Sequence, residues 1–351
     1  MPSSTNLGLC IPPNNLNFVL AISTHLSKTV PHLTLEFLLE CCVGFLKSSK
    51  ELKHYCLEYM TPWLPNIAKY CSPVFIHNPT CNDPQFNKLK EVIRMLIDLT
   101  VKEVEMNASI QSRIWHTLGK VEEILPLIID AFISTAINNG IGTQHTEISA
   151  NTIVTLASAN LDIVAGKIIS QLRRAINSSS SSPSANLVDH PCMIEIAVLI
   201  RFVLMLSFNN HLDVRQYFPE LCHIISILIG VGSPIIRSSI HGLVINMVQS
   251  LCTISNLEDT RLQNLRKILA SFSEPKMCLI FGLRGTEVAV HRNKNVESEW
   301  SGNTSSDAFI MDNETLVGEV RRETSLVNVE AVVNCLLEIM KWSTEDSGNY
   351  Y

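Results

Sequence analysis

Charge is scarce in this chain, and so are the short motifs that mark an enzyme. Lys, Arg, Asp and Glu make up 17% of the residues, against roughly 25% in ordinary soluble domains. The formal net charge is −6, and no cluster of Lys and Arg is broad enough to neutralise a run of phosphates, which excludes nucleic acid as a partner. The densest basic spots, Arg173-Arg174 and Arg321-Arg322, read as solvated helix-end or loop charges. Phosphate-loop, nucleophile-elbow and H-E-x-x-H patterns are all missing. Gly230-Val231-Gly232 lacks the third glycine and the preceding strand of a dinucleotide fingerprint, so it reads as a turn between helices. His54, His116, His223 and His241 fall inside helical patterns without an acid and a nucleophile at useful spacing. No catalytic, cofactor or metal residue is assigned.

The chain also lacks a cysteine framework. Its 11 cysteines are odd in number and contain no C-x-x-C, which points to free thiols in a reducing, cytoplasmic compartment. Cys71, His77 and Cys81 come nearest to zinc-ligand density, but without a close cysteine pair they read as part of a proline-bearing loop. The sequons at Asn107, Asn177, Asn303 and Asn313 carry no meaning in that compartment. Residues 1–15 are polar and proline-bearing, without the basic start and apolar run of a secretory leader. Residues 238–257 carry no formal charge. Their strong apolar positions, Ile240, Leu243/Val244, Met247/Val248 and Leu251, nonetheless recur on one face, where a bilayer span would be apolar all round. An amphipathic helix is expected there, and no transmembrane segment.

What the chain does have is helical periodicity, broken by short turns. Asn14 or Asn15 caps a first helix ending near Lys28. Pro31 opens a second, with Leu33, Phe37, Leu38, Cys41 and Phe45 on one side. Further helices are expected over 49–59, 62–70, 107–118, 122–139, 147–159 and 161–176. Asp83-Pro84 reads as N-cap and first turn of a long helix striped by Phe86, Leu89, Ile93, Leu96 and Thr100. Gly140 is a stop signal after 122–139. Residues 178–190 form a serine- and proline-rich linker. Helices over 191–208, 214–229, 233–253, 258–271 and 275–281 follow, while 284–325 is too long and too poor in apolar residues for an ordered connection and reads as a disordered loop. A last helix spans 326–342, with Val329, Val332/Val333, Leu336 and Met340 on one stripe, and 343–351 is a tail.

Strand-type alternation is rare, so an all-α fold is expected, with helical repeats over 1–177 and 191–283. The repeat length of about 40 residues is that of the armadillo and HEAT class. Each helix pair has too little apolar surface to stand alone, and neighbours must stack into an α-solenoid of antiparallel helices. Arg321-Arg322-Glu323-Thr324-Ser325 has the pattern of a basophilic kinase site. A phosphate on Thr324 or Ser325 would sit at the N-terminus of the 326–342 helix, where free N–H groups and the helix dipole favour a dianion.

Several stretches of wording are specific. IPPNN at 11–15, PHLTLEFLLEC at 31–41, KSSKELKHYCLEYMTPWL at 47–64, SIQSRIWHTLG at 109–119, TIVTLASANLDIV at 152–164, LMLSFNN at 204–210, HGLVINMVQSLC at 241–252 and LLEIM at 336–340 resemble, in one collinear order, the helical-repeat region of the neurofibromin family of Ras GTPase activators. The resemblance runs from Leu7 to Gly282 and resumes in the last helix. It departs from the family in the 71–83 loop, the serine linker and 284–324. The region in question follows the family's GTPase-activating domain and its lipid-exchange and pleckstrin-homology-like module. The resemblance therefore implies a noncatalytic scaffold that supports negative regulation of Ras through self-association and domain positioning. It implies protein partners, no cofactor, and contact with Ras or a membrane only through parts of a longer protein. An independent adaptor solenoid that binds peptides or helices, unrelated to Ras, is the alternative.

Overall fold

The computed structural model describes residues 16–70, 83–181, 190–208, 212, 214–229, 232–253 and 259–272. Among them no strand occurs, and the helices expected from apolar spacing are present: α1 (Leu16–Thr29), α2 (Thr34–Lys47), α3 (Lys50–Met60), α4 (Pro84–Lys102), α5 (107–118), α6 (Leu125–Asn139), α7 (Gln144–Ala159), α8 (Leu161–Ser181), α9 (Cys192–Ser207), α10 (Val214–Leu228), α11 (Pro234–Cys252) and α12 (Asp259–Phe272). A 3₁₀ run, Thr61–Tyr70, follows α3 without a break. The expected helices over 275–281 and 326–342 lie outside the described residues, as does the 284–325 segment. Contacts divide the chain into two units, residues 1–139 with 144–167, and residues 140–143 with 168–351. The described residues of each form an all-α, solenoid-like stack.

Several boundaries follow from single residues. The Asp83 side chain accepts from the backbone N–H groups of Gln85 and Phe86, and Pro84 occupies the first turn of α4, which satisfies donors that would otherwise be orphaned. Gly140, at φ 84°, ends α6 in the left-handed region that glycine enters without a Cβ penalty. The serine run behaves differently from expectation. Instead of beginning a linker at 178, the chain stays helical to Ser181. The Ser178 hydroxyl donates back to the Arg174 carbonyl and Ser179 to that of Ile176, so these side chains bond to the helix they extend rather than compete with it.

In the first unit, α1 packs on α3 and on the 3₁₀ run, α2 on α3 and α4, and α6 on α7. The hydrogen bonds give the register. Ser23 Oγ donates to the Tyr59 carbonyl, Trp63 Nε1 to Ser23 Oγ, Asn66 Nδ2 to the Ser27 carbonyl and Tyr70 Oη to the Pro31 carbonyl, at sequence separations of 36, 40, 39 and 39. Both partners advance together, so these segments run in the same direction one repeat apart. The spacing recurs at Gln111 Nε2 to Thr152 Oγ1, separation 41, and at Lys167 to Asp130, separation 37. Between α2 and α4 the Lys88–Glu36 pair is 52 residues apart, the same repeat lengthened by residues 71–82.

Helix α5 is not a simple α-helix. Asn107–Ile110 leads into a π turn, Gln111–Trp115, before His116–Leu118. The wider turn lets Ile110, Ile114 and Leu118, spaced four apart, face inward together with Trp115, and all four are fully buried. Trp115 meets Phe132 edge-on at 4.8 Å, and its Nε1 donates to Thr100 Oγ1 at 2.8 Å.

In the second unit α9 packs on α11, and α11 on α10 and α12. Helix α9 is buried on almost every side, through Met193, Ile196 to Ile200, Phe202 to Leu204 and Leu206, as an all-round apolar helix must be in water. Each such aliphatic side chain contributes about 1.5–3 kcal/mol on burial. Asn246 Nδ2 donates to the Leu204 carbonyl and Ser207 Oγ, 42 and 39 residues away. The repeat is therefore the same length here. The amphipathic reading of 238–257 holds over α11, where Ile240, Leu243, Val244, Met247, Val248 and Leu251 are all buried. One expected core residue is misplaced: Leu33 is exposed. It belongs to the 3₁₀ turn Pro31–Leu33, so the α-helical phase of α2 does not extend back to it.

Candidate interaction surface

The residues that carry chemistry are dispersed. Among the described residues no group of three or more His, Cys, Asp or Glu is placed to hold a metal; Cys71, His77 and Cys81 lie outside them. His54 and His223 are exposed, His116 is half-buried and His241 is buried, on the four helices α3, α5, α10 and α11. Gly232, at φ 87°, is the turn before α11 that the Gly230–Gly232 stretch suggested. The described cysteines are free thiols. Burial pushes the thiols of Cys41, Cys42 and Cys222 up to about 12, with neighbouring thiols adding to the effect at Cys41 and Cys42. The neutral thiol form is thereby favoured at all three. Thr324 and Ser325, with Arg321 and Arg322, lie outside the described residues.

Two surface features remain. The first is a face of α1. Val19, Ser23 and Ser27 bury its inner side, where the Ser23 hydroxyl and the Ser27 carbonyl accept from Trp63 and Asn66 of the 3₁₀ run. On its outer side Phe18, Ile22 and Leu26 recur every four residues at 61%, 42% and 43% exposure. A single exposed leucine is ordinary, but an aligned stripe is the mark of a helix that packs on something. Among the described residues, no single helix is long and apolar enough to cross a membrane. The sequence places apolar residues at 18 and 19, on both sides of α1, and so does not say which side is covered.

The second feature is an open recess of about 430 Å³ on α8, lined by Ser170, Arg173, Arg174, Asn177 and Ser178. The five residues are spaced along one face of the helix. Both arginines are exposed. One turn back, Gln171 Nε2 donates to Glu195 Oε1 of α9. The arginine pair read in the sequence as solvated helix-end or loop charge is thus exposed on α8, beside an open hollow.

No family model matches the chain. Two curated proteins of Saccharomyces cerevisiae are similar to it. Inhibitory regulator protein IRA2 is 24% identical over 276 residues, covering 78% of this chain. Inhibitory regulator protein IRA1 is 24% identical over 283 residues, covering 76%. The chain spans 9% of the length of each.

Proposed function

We propose that this chain is a noncatalytic, armadillo- or HEAT-like scaffold segment of a neurofibromin-like Ras GTPase activator, acting in a cytoplasmic protein through self-association and domain positioning. The observation that carries this reading is the similarity to two inhibitory regulator proteins over three-quarters of the chain, joined to the wording that resembles the neurofibromin helical repeats. The dispersed histidines, high-pKa thiols and exposed apolar and basic surfaces fit a part that binds rather than one that reacts. Activation of a GTPase by an arginine finger accelerates hydrolysis by roughly 10³–10⁵-fold. No arginine here is given that role.

Single-turnover hydrolysis by Ras with and without the purified chain is the direct test, and the expected rate is unchanged. Stimulation on the order of 10³-fold would sink the noncatalytic reading. Light scattering on the same sample, compared with a Phe18→Glu, Leu26→Glu variant, reports self-association and whether α1 supports it. A basophilic kinase assay on the chain, with Thr324→Ala and Ser325→Ala as controls, tests the two proposed phosphorylation sites.

A further inference from the structure

We infer that the outer face of α1, with the 3₁₀ turn and the end of the 3₁₀ run beside it, is a docking surface for an anionic lipid bilayer. On the outer half of α1 Phe18, Ala21, Ile22, His25, Leu26 and Lys28 are all exposed. The helix therefore stands as a ridge and not as one wall of a groove. A ridge encloses no small molecule. A bilayer interface takes one as it is, because Phe, Ile and Leu side chains on one helix face insert between headgroups and acyl chains. Leu33, 44% exposed in the turn Pro31–Leu33 that follows α1, adds a fourth apolar side chain.

Charge complementarity selects the lipid. The chain as a whole carries −6, yet its first 35 residues contain no Asp or Glu. The Tyr70 hydroxyl donates to the Pro31 and His32 carbonyls, which brings the end of the 3₁₀ run to the C-terminal end of α1. Lys28, His32 and Lys69 are exposed there. Helix α1, the turn and the 3₁₀ run have no acid, and α3, which also packs on α1, has one exposed acid, Glu51 beside Lys50. The outer faces of α2 and α4 instead mix both signs, through Glu36, Glu40 and Lys47 and through Lys88, Glu91 and Arg94. An apolar ridge with cations at one end is what an anionic interface attracts. Direct lipid contact by this chain goes beyond the resemblance, which implies membrane contact only through other parts of a longer protein.

The test is co-sedimentation of the full chain at low salt with vesicles of phosphatidylcholine alone or mixed with phosphatidylserine. Tighter binding to the mixed vesicles is expected. Phe18→Ser, Ile22→Ser, Leu26→Ser together should weaken it at least about tenfold, the factor that corresponds to a single apolar side chain withdrawn from water. Lys28→Gln with Lys69→Gln should cost about fivefold per lysine, and only on the mixed vesicles. A Phe18→Trp variant reads insertion without placing a polar group on α1: brominated phosphatidylcholine in the mixed vesicles should quench its fluorescence more than that of the unaltered chain. No binding to the mixed vesicles, equal binding by the serine or the glutamine variant, or no added quenching in the Phe18→Trp variant overturns the inference. So does self-association that the serine variant abolishes while vesicles capture neither chain, since a second copy then covers the stripe.

Discussion

The two units reach one repeat length by different means. In the first, polar groups join one repeat to the next. Trp63 and Trp115 each donate from a buried ring N–H to a hydroxyl, of Ser23 and Thr100, which passes the bond on to the carbonyls of Tyr59 and Leu96. Ion pairs such as Lys53–Glu103 and Arg113–Glu58 cross between segments. In the second unit close steric fit accompanies the polar bonds between described helices. Leu204 packs where Gly242 leaves room, and Met193 and Ile236 crowd Gly232, with Asn246 and the Gln171–Glu195 bond as polar clamps between helices. Directional bonds and steric fit are thus interchangeable ways of fixing the same offset, and they should fail differently.

The largest test is Trp115→Ala, which removes the biggest fully buried side chain of the first unit and should cost about 3–5 kcal/mol. Hydrogen exchange read peptide by peptide should show the loss concentrated in α4 to α7. Equal loss of protection in α9 and α11 would mean the units unfold together and the contrast is thermodynamically empty. Next come the steric points. A Cβ on Gly119 would stand 2.8 Å from the Ala159 Cβ, and one on Gly232 would stand 2.9 Å from Ile236 Cδ1 at a φ of +87°. Each alanine should destabilise by about 1–3 kcal/mol in urea titration, and a neutral Gly232→Ala would show that steric fit does not help to set the second register.

Thr100→Val keeps the volume of the side chain but leaves the Trp115 N–H buried without its acceptor, for about 1–3 kcal/mol. Ser207→Ala, where Asn246 keeps the Leu204 carbonyl, should cost nearer 1 kcal/mol, and equal losses would erase the distinction between relay and clamp. The smallest effect is that of acid. Lys88 holds the Glu36 carboxyl below the usual range by a hydrogen bond, as Lys50 does for Glu105. Folded values below the unfolded ones give a contribution that is complete above the ordinary carboxylate pKa of about 4.3 and lost as pH falls through the lowered values. These pairs are solvent-exposed, so the loss is modest. Below about pH 4 α2 and α4 should lose more exchange protection than α9 and α11, and the Lys88→Met variant should lose less of it than the unaltered chain.

Much of the fold could be read from the chain alone. The stripes of α4 and α11 were legible because a helix that buries one face must repeat apolar residues at 3.6, and Asp83-Pro84 and Gly140 because caps need particular chemistry. The π turn was not, since one additional residue in a turn leaves apolar spacing of four nearly untouched. The start of α7 at Gln144, before the expected Glu147, carries no apolar signal, and the end of α8 depends on hydroxyls that favour either outcome. The α1 stripe needed three dimensions, because only the position of the 3₁₀ run decides which of its two apolar sides is covered. The recess on α8 required the same knowledge of which face of that helix stays open.

The 52-residue separation between Glu36 and Lys88 carries a consequence for how such a protein can change. Helices two apart find each other by facing side chains, not by the length of chain between them, so α2 and α4 pair across a long sequence interval. Loop closure grows only logarithmically with length. A connection between stacked helices can therefore lengthen, and new recognition sequence be written into it, without the rest of the array having to be relearned.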